Sequence, residues 1–235
     1  MTFSYSNTPS SLELTLIEES TQILLNEYSK QNEHAQNLCV HVTFTPSGNT
    51  LKVSKKGEQC AITCHEPVHY FRCLNYLLHH LEEDFDFEET GFFEKNGFML
   101  DCSRNAVSTV ETVKKIIRIM AKLGLNQLLL YTEDTYEVPE LPYFGTYRGR
   151  YSQDEIRQLD DYAYQFGIEL VPCIQTLAHL RNALKWPMGQ ELKDSADVLL
   201  VGSEKVYDFI RQLLTSVKDC FRSENIHIGM DERSE

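Results

Sequence analysis

The second half of the chain repeats one unit, a short apolar run followed by a helix signature. The apolar runs are Phe98 to Leu100, Leu128 to Tyr131, Ile168 to Cys173 and Ile226 to Gly229. They lack the apolar–polar alternation of a half-buried strand. Such runs predict parallel strands that helices cover on both faces.

Capping signals mark the helices between these runs. Ser108–Glu111 and Ser152–Glu155 have the spacing of a capping box, in which the Ser hydroxyl accepts a backbone N–H and the Glu reaches back to the cap. Gly124 and Gly167 stand where the first two helices should end. Strands and helices that alternate in this way indicate an α/β fold. Because the sequence has no glycine-rich dinucleotide or phosphate motif, a (β/α)₈ barrel is favoured over a doubly wound sheet.

Residues before about 90 follow a different pattern, which predicts a small α+β domain. The pattern predicts a helix from about Ser10 to Lys30, strands from Leu38 to about Thr63, and a helix from Pro67 to about Glu83. We therefore predict two domains, residues 1–90 and residues 91–235, the second being the first half of a barrel that is incomplete after its fourth strand. The acidic run from Glu82 to Glu89 is predicted to be a solvated connection between them.

Charge and cysteine content limit the partners and the compartment. Lys and Arg number 22 against 35 Asp and Glu, a net charge of −13, and such a surface repels nucleic acid and anionic membranes. The N-terminus lacks the features of a secretory signal, and no apolar run reaches the roughly 18 residues of a membrane span. The 7 cysteines are scattered and odd in number, which favours a reduced, cytoplasmic protein. Cys60, Cys64 and His65 lie close together but lack a second ligand pair, so no metal or cofactor is predicted.

Polar residues follow each of the four apolar runs. They are Asp101, Glu133, Asp134, Gln175, Asp231 and Glu232. The carboxyl ends of barrel strands meet on one face, where active sites lie. Carboxylates that share one mouth repel one another, so their coincidence favours chemistry over unrelated solvated loop tips.

The adjacent pair Asp231 and Glu232 indicates a mechanism in which the two carboxyl groups have different roles. Two carboxylates of an ordinary glycosidase face each other across the bond at about 5 to 9.5 Å, which neighbours on one strand cannot easily do. The pair suits a reaction in which the substrate's own 2-acetamido oxygen attacks the anomeric carbon. One carboxyl then protonates the leaving oxygen, and its acidic neighbour orients the amide and raises the pKa of the proton donor.

Four stretches resemble one family in the correct order. His227-Ile-Gly-Met-Asp231-Glu232 resembles the catalytic strand of glycoside hydrolase family 20, the exo-β-N-acetylhexosaminidases. The stretches Asn96 to Arg104, Leu128 to Asp134 and Val171 to His179 resemble its first three barrel strands, the last being most similar to the hexosaminidase-D-like branch. The resemblance covers residues from about 95 to 235, and the leading module resembles the small α/β domain that precedes the barrel in this family.

The resemblance implies a retaining, substrate-assisted enzyme that removes terminal N-acetylglucosamine or N-acetylgalactosamine from glycans. Glu232 would be the general acid and then the general base, and Asp231 would orient the acetamido nitrogen. His179 would support the hydrogen bonding of this pair. The candidates for contacts with sugar hydroxyls are Arg104, Glu133, Asp134 and Gln175.

Two departures from the family pattern change these expectations. Many members begin the first strand with Arg-Gly, whose Arg holds sugar hydroxyls, but here Asn96 precedes Gly97. Arg104 would therefore make that contact, or it would form an ion pair with Asp101. A barrel needs about 250 residues, and only about 140 are available here. We expect a fragment with little activity of its own, or a homodimer whose copies cover each other's open sheet edges.

Two other functions remain open from the sequence. A non-catalytic glycan-binding or assembly module could keep a degenerate barrel, although such a module needs no proton donor at Glu232. The acidic cluster could alternatively hold a divalent metal for a metal-dependent hydrolase.

Overall fold

The computed structural model describes residues 1–7, 10–29, 37–104 and 106–230. The strands in these ranges are β1 (Thr2–Ser6), β2 (Cys39–Phe44), β3 (Thr50–Lys56), β4 (Gln59–Cys64), β5 (Phe85–Thr90), β6 (Gly97–Asp101), β7 (Gln127–Tyr131) and β8 (Glu169–Cys173). The helices are α1 (Ser11–Ser29), α2 (Pro67–His79), α3 (Val110–Leu123), α4 (Gln153–Gln165), α5 (Arg181–Leu184) and α6 (Glu204–Lys218), with a 3₁₀ helix at Pro187–Glu191. No helix in the described ranges has the length and apolar character needed to cross a bilayer.

The chain divides into two compact units. The first contains Met1–Gly97 together with Lys114–Asn126 and Tyr162–Ile168, and the second contains the other described residues. Since the first unit takes in parts of α3 and α4, the units do not correspond to a single cut in the chain. The domain boundary near residue 90 stays a prediction.

The first unit contains a five-stranded mixed sheet in the order β1-β2-β4-β3-β5. Strands β1, β2 and β4 are parallel, whereas β3 is antiparallel to both of its neighbours. Side chains of β2, β3 and β4 alternate between the core and the other face of the sheet. Helix α2 packs on β3 and β4 through a buried stripe that includes Val68, Phe71 and Leu74.

Strand β5 corrects the prediction of a solvated acidic connection. Phe85 and Phe87 are half-buried and alternate with exposed Asp86 and Glu88, which is the period of a strand. The Nζ of Lys52 on β3 lies 2.8 Å from Oε2 of Glu88, so the acids pair with a basic neighbouring strand. The acidic residues of this segment concealed the alternation of apolar and charged positions that predicts a strand. The preceding helix is also shorter than predicted, since it ends at His79.

The second unit contains the parallel sheet that the apolar runs predicted. The sheet order is β6-β7-β8, and β7 pairs in parallel with β8 from Gln127 opposite Glu169 to Tyr131 opposite Cys173. The predicted fourth strand contributes one parallel bridge, between His227 and Cys173. Strands that follow chain order and leave the sheet open within the described residues form an incomplete barrel, as the sequence predicted.

One of the two predicted capping boxes is confirmed. The N–H of Glu155 donates to Oγ of Ser152 at 3.2 Å, and the N–H of Ser152 donates to Oε2 of Glu155 at 2.8 Å. Gly124 and Gly167 have φ values of 76° and 70°, so both act as the left-handed residues that end α3 and α4.

The other capping box, which was predicted at Ser108, is wrong by one residue. Helix α3 is capped by Thr109, whose Oγ1 accepts the N–H of Thr112 at 3.3 Å. The backbone oxygen of Ser108 accepts the hydroxyl of Tyr151 instead. This bond holds Ser108 outside the helix, and the cap falls on the next hydroxyl residue.

Candidate active site

Buried polar residues of the second unit concentrate just after its strands. Seven of the nine in the described ranges do so: Ser103 after β6, Thr132, Glu133, Asp134 and Thr135 after β7, and Gln175 and Thr176 after β8, while Asp160 and Ser216 lie on α4 and α6. Burying polar groups is unfavourable unless they find partners. Their concentration at the carboxyl ends of parallel strands marks the face where this kind of sheet carries its site.

Asp101 and Arg104 form the ion pair that was expected as an alternative to sugar binding. Nη1 of Arg104 lies 2.7 Å from Oδ2 of Asp101, while the N–H and hydroxyl of Ser103 donate to Oδ1 at 2.8 and 2.7 Å. Burial opposes ionisation of Asp101, but the hydrogen bonds from Ser103 and Arg104 outweigh it and lower the pKa of this carboxyl. The other side of the guanidinium reaches the site, because Nη2 lies 3.9 Å from Oε1 of Glu133.

Glu133 is a buried carboxyl between two guanidinium groups. It is 9% exposed, and Nη2 of Arg148 lies 3.7 Å from its Oε2. The hydroxyl of Tyr131 donates to its Oε1 at 3.4 Å. Burial raises the pKa of Glu133, and the positive charges of Arg104 and Arg148 oppose this only in part. Glu133 is therefore held in place but remains closer to protonation than an exposed glutamate.

Asp134 lies deeper and is paired with Arg148. It is 1% exposed, and Nε of Arg148 donates to its Oδ1 at 3.2 Å. Arg148 also donates to the backbone oxygen of Ser103 and so ties the segment after β6 to the segment after β7. Within the described part of the chain, Oδ2 of Asp134 has no hydrogen-bond partner. One arginine thus orients two neighbouring carboxylates.

Sequence reasoning missed Arg148, which lies in the long connection between β7 and α4. This connection passes directly over the strand end, because a Cβ added at Gly145 would lie 2.1 Å from the backbone oxygen of Asp134. Gly145 also has a φ of 67°. Both this positive φ and the close approach to Asp134 require glycine at the position. Two arginines within three positions, Arg148 and Arg150, in an otherwise acidic chain were the available signal.

Gln175 and Tyr131 continue the network beneath Glu133. Gln175 is fully buried, and its Nε2 donates to the hydroxyl of Tyr131 at 2.9 Å. A chain of donors therefore runs from Gln175 through Tyr131 to Glu133. Gly229 approaches Gln175 so closely that an added Cβ would lie 2.5 Å from Oε1 of Gln175.

His179 lies within electrostatic reach of the same group. It is half-buried, and its electrostatic effect lowers the pKa of Glu133, against the larger effect of burial. Its φ is 56°, an uncommon backbone conformation for a residue other than glycine. The structure thus brings together Arg104, Glu133, Asp134, Gln175 and His179. The predicted catalytic pair, Asp231 and Glu232, lies outside the described residues, and its roles stay predictions.

The cysteines near His65 are core residues. Cys60 and Cys64 point to the same buried face of β4, and burial raises the pKa of the Cys64 thiol to about 12. Nδ1 of His65 lies 2.7 Å from the backbone oxygen of Thr45. Over the ranges that are described, no three His, Cys, Asp or Glu side chains are arranged to hold a metal ion.

Comparison with known proteins identifies the family. The profile of glycosyl hydrolase family 20, catalytic domain, matches residues 93–235, more than half of the chain. A beta-hexosaminidase of Porphyromonas gingivalis is 31% identical over 167 residues, which cover 60% of this chain and 21% of that protein. A beta-hexosaminidase of Vibrio furnissii is 28% identical over 177 residues, covering 60% of this chain and 29% of its own length. The chain therefore spans less than a third of these curated relatives.

Solved structures agree with the fold. An exo-β-N-acetylglucosaminidase of this family from Vibrio harveyi, in complex with N-acetylglucosamine, superposes with a TM-score of 0.79 at 20% identity and covers 99% of this chain and 43% of that one. A β-N-acetylhexosaminidase from Bacteroides fragilis gives a TM-score of 0.77 at 19% identity, covering 100% of this chain and 53% of that one. At these identities the likeness establishes the fold alone. Taken with the profile match, it leads to one conclusion: the chain belongs to glycosyl hydrolase family 20.

Proposed function

We propose that the protein to which this chain belongs is a β-N-acetylhexosaminidase that removes terminal N-acetylglucosamine or N-acetylgalactosamine from a glycan. The family match over residues 93–235 supports the reaction class. The observation that carries the proposal is the buried pair Glu133 and Asp134 at the end of β7, oriented by Arg148. Fixed carboxylate oxygens at the mouth of an incomplete barrel suit the hydroxyl groups of a neutral sugar.

The residues around this pair divide into two groups by accessibility. Arg104, Glu133 and His179 keep accessible surface, and we assign them to contact with the sugar. Asp134 and Gln175 are enclosed, and we assign them to orienting Arg148 and Tyr131, respectively. Direct contact of Asp134 or Gln175 with a hydroxyl stays a prediction.

The mechanism that we propose is retaining and substrate-assisted. Glu232 protonates the leaving oxygen and then activates the water that opens the oxazoline-type intermediate. Asp231 orients the acetamido group and stabilises the positive charge that develops on it. The support for these roles is the adjacent Asp-Glu pair after the fourth apolar run, which suits a nucleophile supplied by the substrate.

The test uses the complete polypeptide of the native reading frame and a substrate with a poor leaving group, methyl N-acetyl-β-D-glucosaminide. Glu232→Gln should lower kcat by about a hundredfold or more, because the proton donor is lost. Asp231→Asn should reduce the preference for 2-acetamido over 2-hydroxy sugars. Glu224→Gln, at an exposed loop position, serves as the matched control and should leave activity unchanged. Full activity in Glu232→Gln contradicts the mechanism, and sugar binding without turnover in the wild type favours a binding module.

We further propose that the 235-residue chain alone has little hydrolase activity. The short share of its relatives that it spans supports this, as do the exposed apolar side chains of Ile226, Ile228 and Met230 beside the last bridge of the sheet. In the complete protein, further strands or a second copy would cover this edge. Release of sugar by the isolated chain at the rate of the complete protein overturns the proposal, and sedimentation of the isolated chain tests for the homodimer.

The compartment and the branch of the family are proposals of the same kind. Seven free cysteines support a reducing, cytoplasmic location. The stretch Val171 to His179 supports the hexosaminidase-D-like branch. Fractionation of cells that express the complete protein tests the first, and a preference among terminal sugars and linkages measured on defined glycans bears on the second.

A further inference from the structure

Tyr147 combines an exposed ring with an unfavourable backbone. Its φ is 63°, and the residue is 96% exposed. A bulky L-residue seldom adopts the left-handed conformation, since its Cβ approaches the neighbouring backbone oxygen. The exposed ring gives little burial in return. An exposed ring on a left-handed backbone therefore lowers the stability of the folded protein.

The segment that carries Tyr147 is fixed rather than loose. Gly145 lies against the backbone of Asp134, and the N–H of Arg148 donates to the backbone oxygen of Gly145 at 3.1 Å. The hydroxyl of Thr146 donates to the backbone oxygen of Pro142 at 3.0 Å. Because residues on both sides of Tyr147 are anchored to the strand end, its ring is presented to solvent from a rigid turn.

The location of Tyr147, relative to the other residues with a positive φ, points to a ligand. Within the described ranges, three residues other than glycine have a positive φ: Asn7, Tyr147 and His179. Asparagine and histidine adopt this conformation more often than other residues do, whereas a bulky tyrosine seldom adopts it. His179 lies within electrostatic reach of Glu133, and Tyr147 directly precedes the arginine that holds Glu133 and Asp134. Strain that persists in a rigid structure concentrates at functional sites.

We propose that the ring of Tyr147 is a platform for the sugar on the leaving-group side of the scissile bond, an inference that rests on the proposed function. One face of a pyranose presents C–H groups, which pack against a flat aromatic ring, and the phenol oxygen at the ring edge can bond to a hydroxyl. A ring this exposed lies at the rim of a site rather than at its floor. In an enzyme that removes terminal sugars, the rim meets the remainder of the glycan.

The experiment compares two substrates of the complete polypeptide, N,N′-diacetylchitobiose and methyl N-acetyl-β-D-glucosaminide. Tyr147→Asn removes the ring and keeps a residue that accepts a positive φ. It should lower kcat/KM for the disaccharide by roughly fivefold, the scale of one aromatic contact, and leave the methyl glycoside unchanged. Tyr147→Phe keeps the ring and should retain most of the disaccharide activity. Tyr207→Asn, at a half-exposed tyrosine of α6, is the matched control and should leave the ratio of the two substrates unchanged.

Stability separates a ligand contact from a packing contact. Tyr147→Asn should keep or raise the Tm, because it relieves backbone strain. A lower Tm, or an equal loss on both substrates, overturns the inference, since the ring would then pack against the protein. A wild type that hydrolyses neither substrate overturns the proposed function instead. In that case calorimetric titration with N,N′-diacetylchitobiose decides the matter: a Kd at least fivefold weaker in Tyr147→Asn supports the platform, and an equal Kd rejects it.

Discussion

Arg148 shows how much of the site depends on a residue that contacts two carboxylates at once. Its guanidinium lies between Asp134, Glu133 and the backbone oxygen of Ser103. A planar group with several donors in a fixed arrangement suits this task better than a lysine ammonium. The arginine therefore sets both the charge and the geometry of the strand end.

Removing this guanidinium should destabilise the protein strongly. Arg148→Met leaves the buried carboxylate of Asp134 without its cation, and we expect the free energy of unfolding to fall by about 3 to 5 kcal/mol in urea denaturation. Arg148→Lys should recover part of this loss. The matched control is Arg211→Met, which breaks an exposed pair with Asp208 and should change stability little. Equal effects at the two positions would contradict the role of Arg148.

The raised pKa of Glu133 has a defined consequence for stability. The folded-state pKa lies above the unfolded value of 4.5, so the folded protein holds this proton more tightly. The contribution of Glu133 to stability therefore falls as the pH rises from about 4.5 through the folded pKa. Relative to the wild type, Glu133→Gln should gain stability over this window, as urea unfolding between pH 4 and 7 will show.

Asp101 provides a control of opposite sign. Its pKa is lowered from 3.8, so its ionised form adds stability above this value and loses it as the pH falls through the folded pKa. Asp101→Asn should therefore lose stability relative to the wild type as the pH rises from the folded pKa to about 3.8, and the difference should then stay constant, which urea unfolding extended below pH 3.8 will show. For each variant, the stability relative to the wild type changes with pH, and the two changes should have opposite directions. A change in the same direction for both variants would contradict these assignments.

The site residues that follow strands could be predicted, and those in the long connection could not. Glu133, Asp134 and Gln175 were named as candidates because parallel strands bring their carboxyl ends to one face, whereas His179 was named from the family resemblance. Arg148 and Tyr147 lie in a segment with no hydrophobic period, where the sequence constrains neither direction nor contact. Their positions depend on glycines such as Gly145, which permit an approach that no periodicity predicts.

At the scale of elements, local patterns were reliable where one signal dominated. The box at Ser152 was correct because its two hydrogen bonds lie within four residues. The box at Ser108 failed because a tertiary bond from Tyr151 competes for that segment. Strand β5 was hidden by its charges, and the strand predicted at Ile226 is reduced to one bridge that sequence alone does not determine.

The cap of α3 can be tested directly. Thr109→Ala should lower the free energy of unfolding by about 1 kcal/mol, because the N–H of Thr112 loses its acceptor. Ser108→Ala should have little effect, since Ser108 takes part through its backbone oxygen. Urea unfolding of the two variants distinguishes the observed cap from the predicted one. A larger loss at Ser108 would favour the capping box.

At the scale of the whole molecule, burial controls the reactivity of the thiols. Cys39 is exposed, whereas the other six cysteines are buried, and all seven lie in the described ranges. The thiolate is the reactive form, and burial disfavours it. We therefore expect one thiol to react quickly with an aromatic disulfide reagent in the native protein, and seven in denaturant. Cys39→Ser should abolish the fast reaction, and two or more fast thiols would contradict the packing.

The two units also differ in how well their architecture could be anticipated. The strands of the first sheet alternate apolar and polar residues, and those of the second are apolar throughout. A strand buried on one face has the first pattern and a strand buried on both faces has the second, so these patterns predicted the fold class. Strand order was predictable only where consecutive strands are neighbours, as in β6-β7-β8. The order β1-β2-β4-β3-β5 depends on contacts between distant segments.

The close approach at Gly145 has a practical consequence for variant libraries of this protein. A single methyl group at this position would collide with the main chain that carries Asp134. A screen for variants that have lost hydrolysis would then detect position 145 together with the proton donor, although glycine supplies no functional group. Assigning chemistry from such a screen requires a fold assay for each hit. Gly91→Ala is the appropriate benign reference, because its φ is not positive and an added Cβ would lie 3.6 Å from the nearest atom, the backbone oxygen of Asn49.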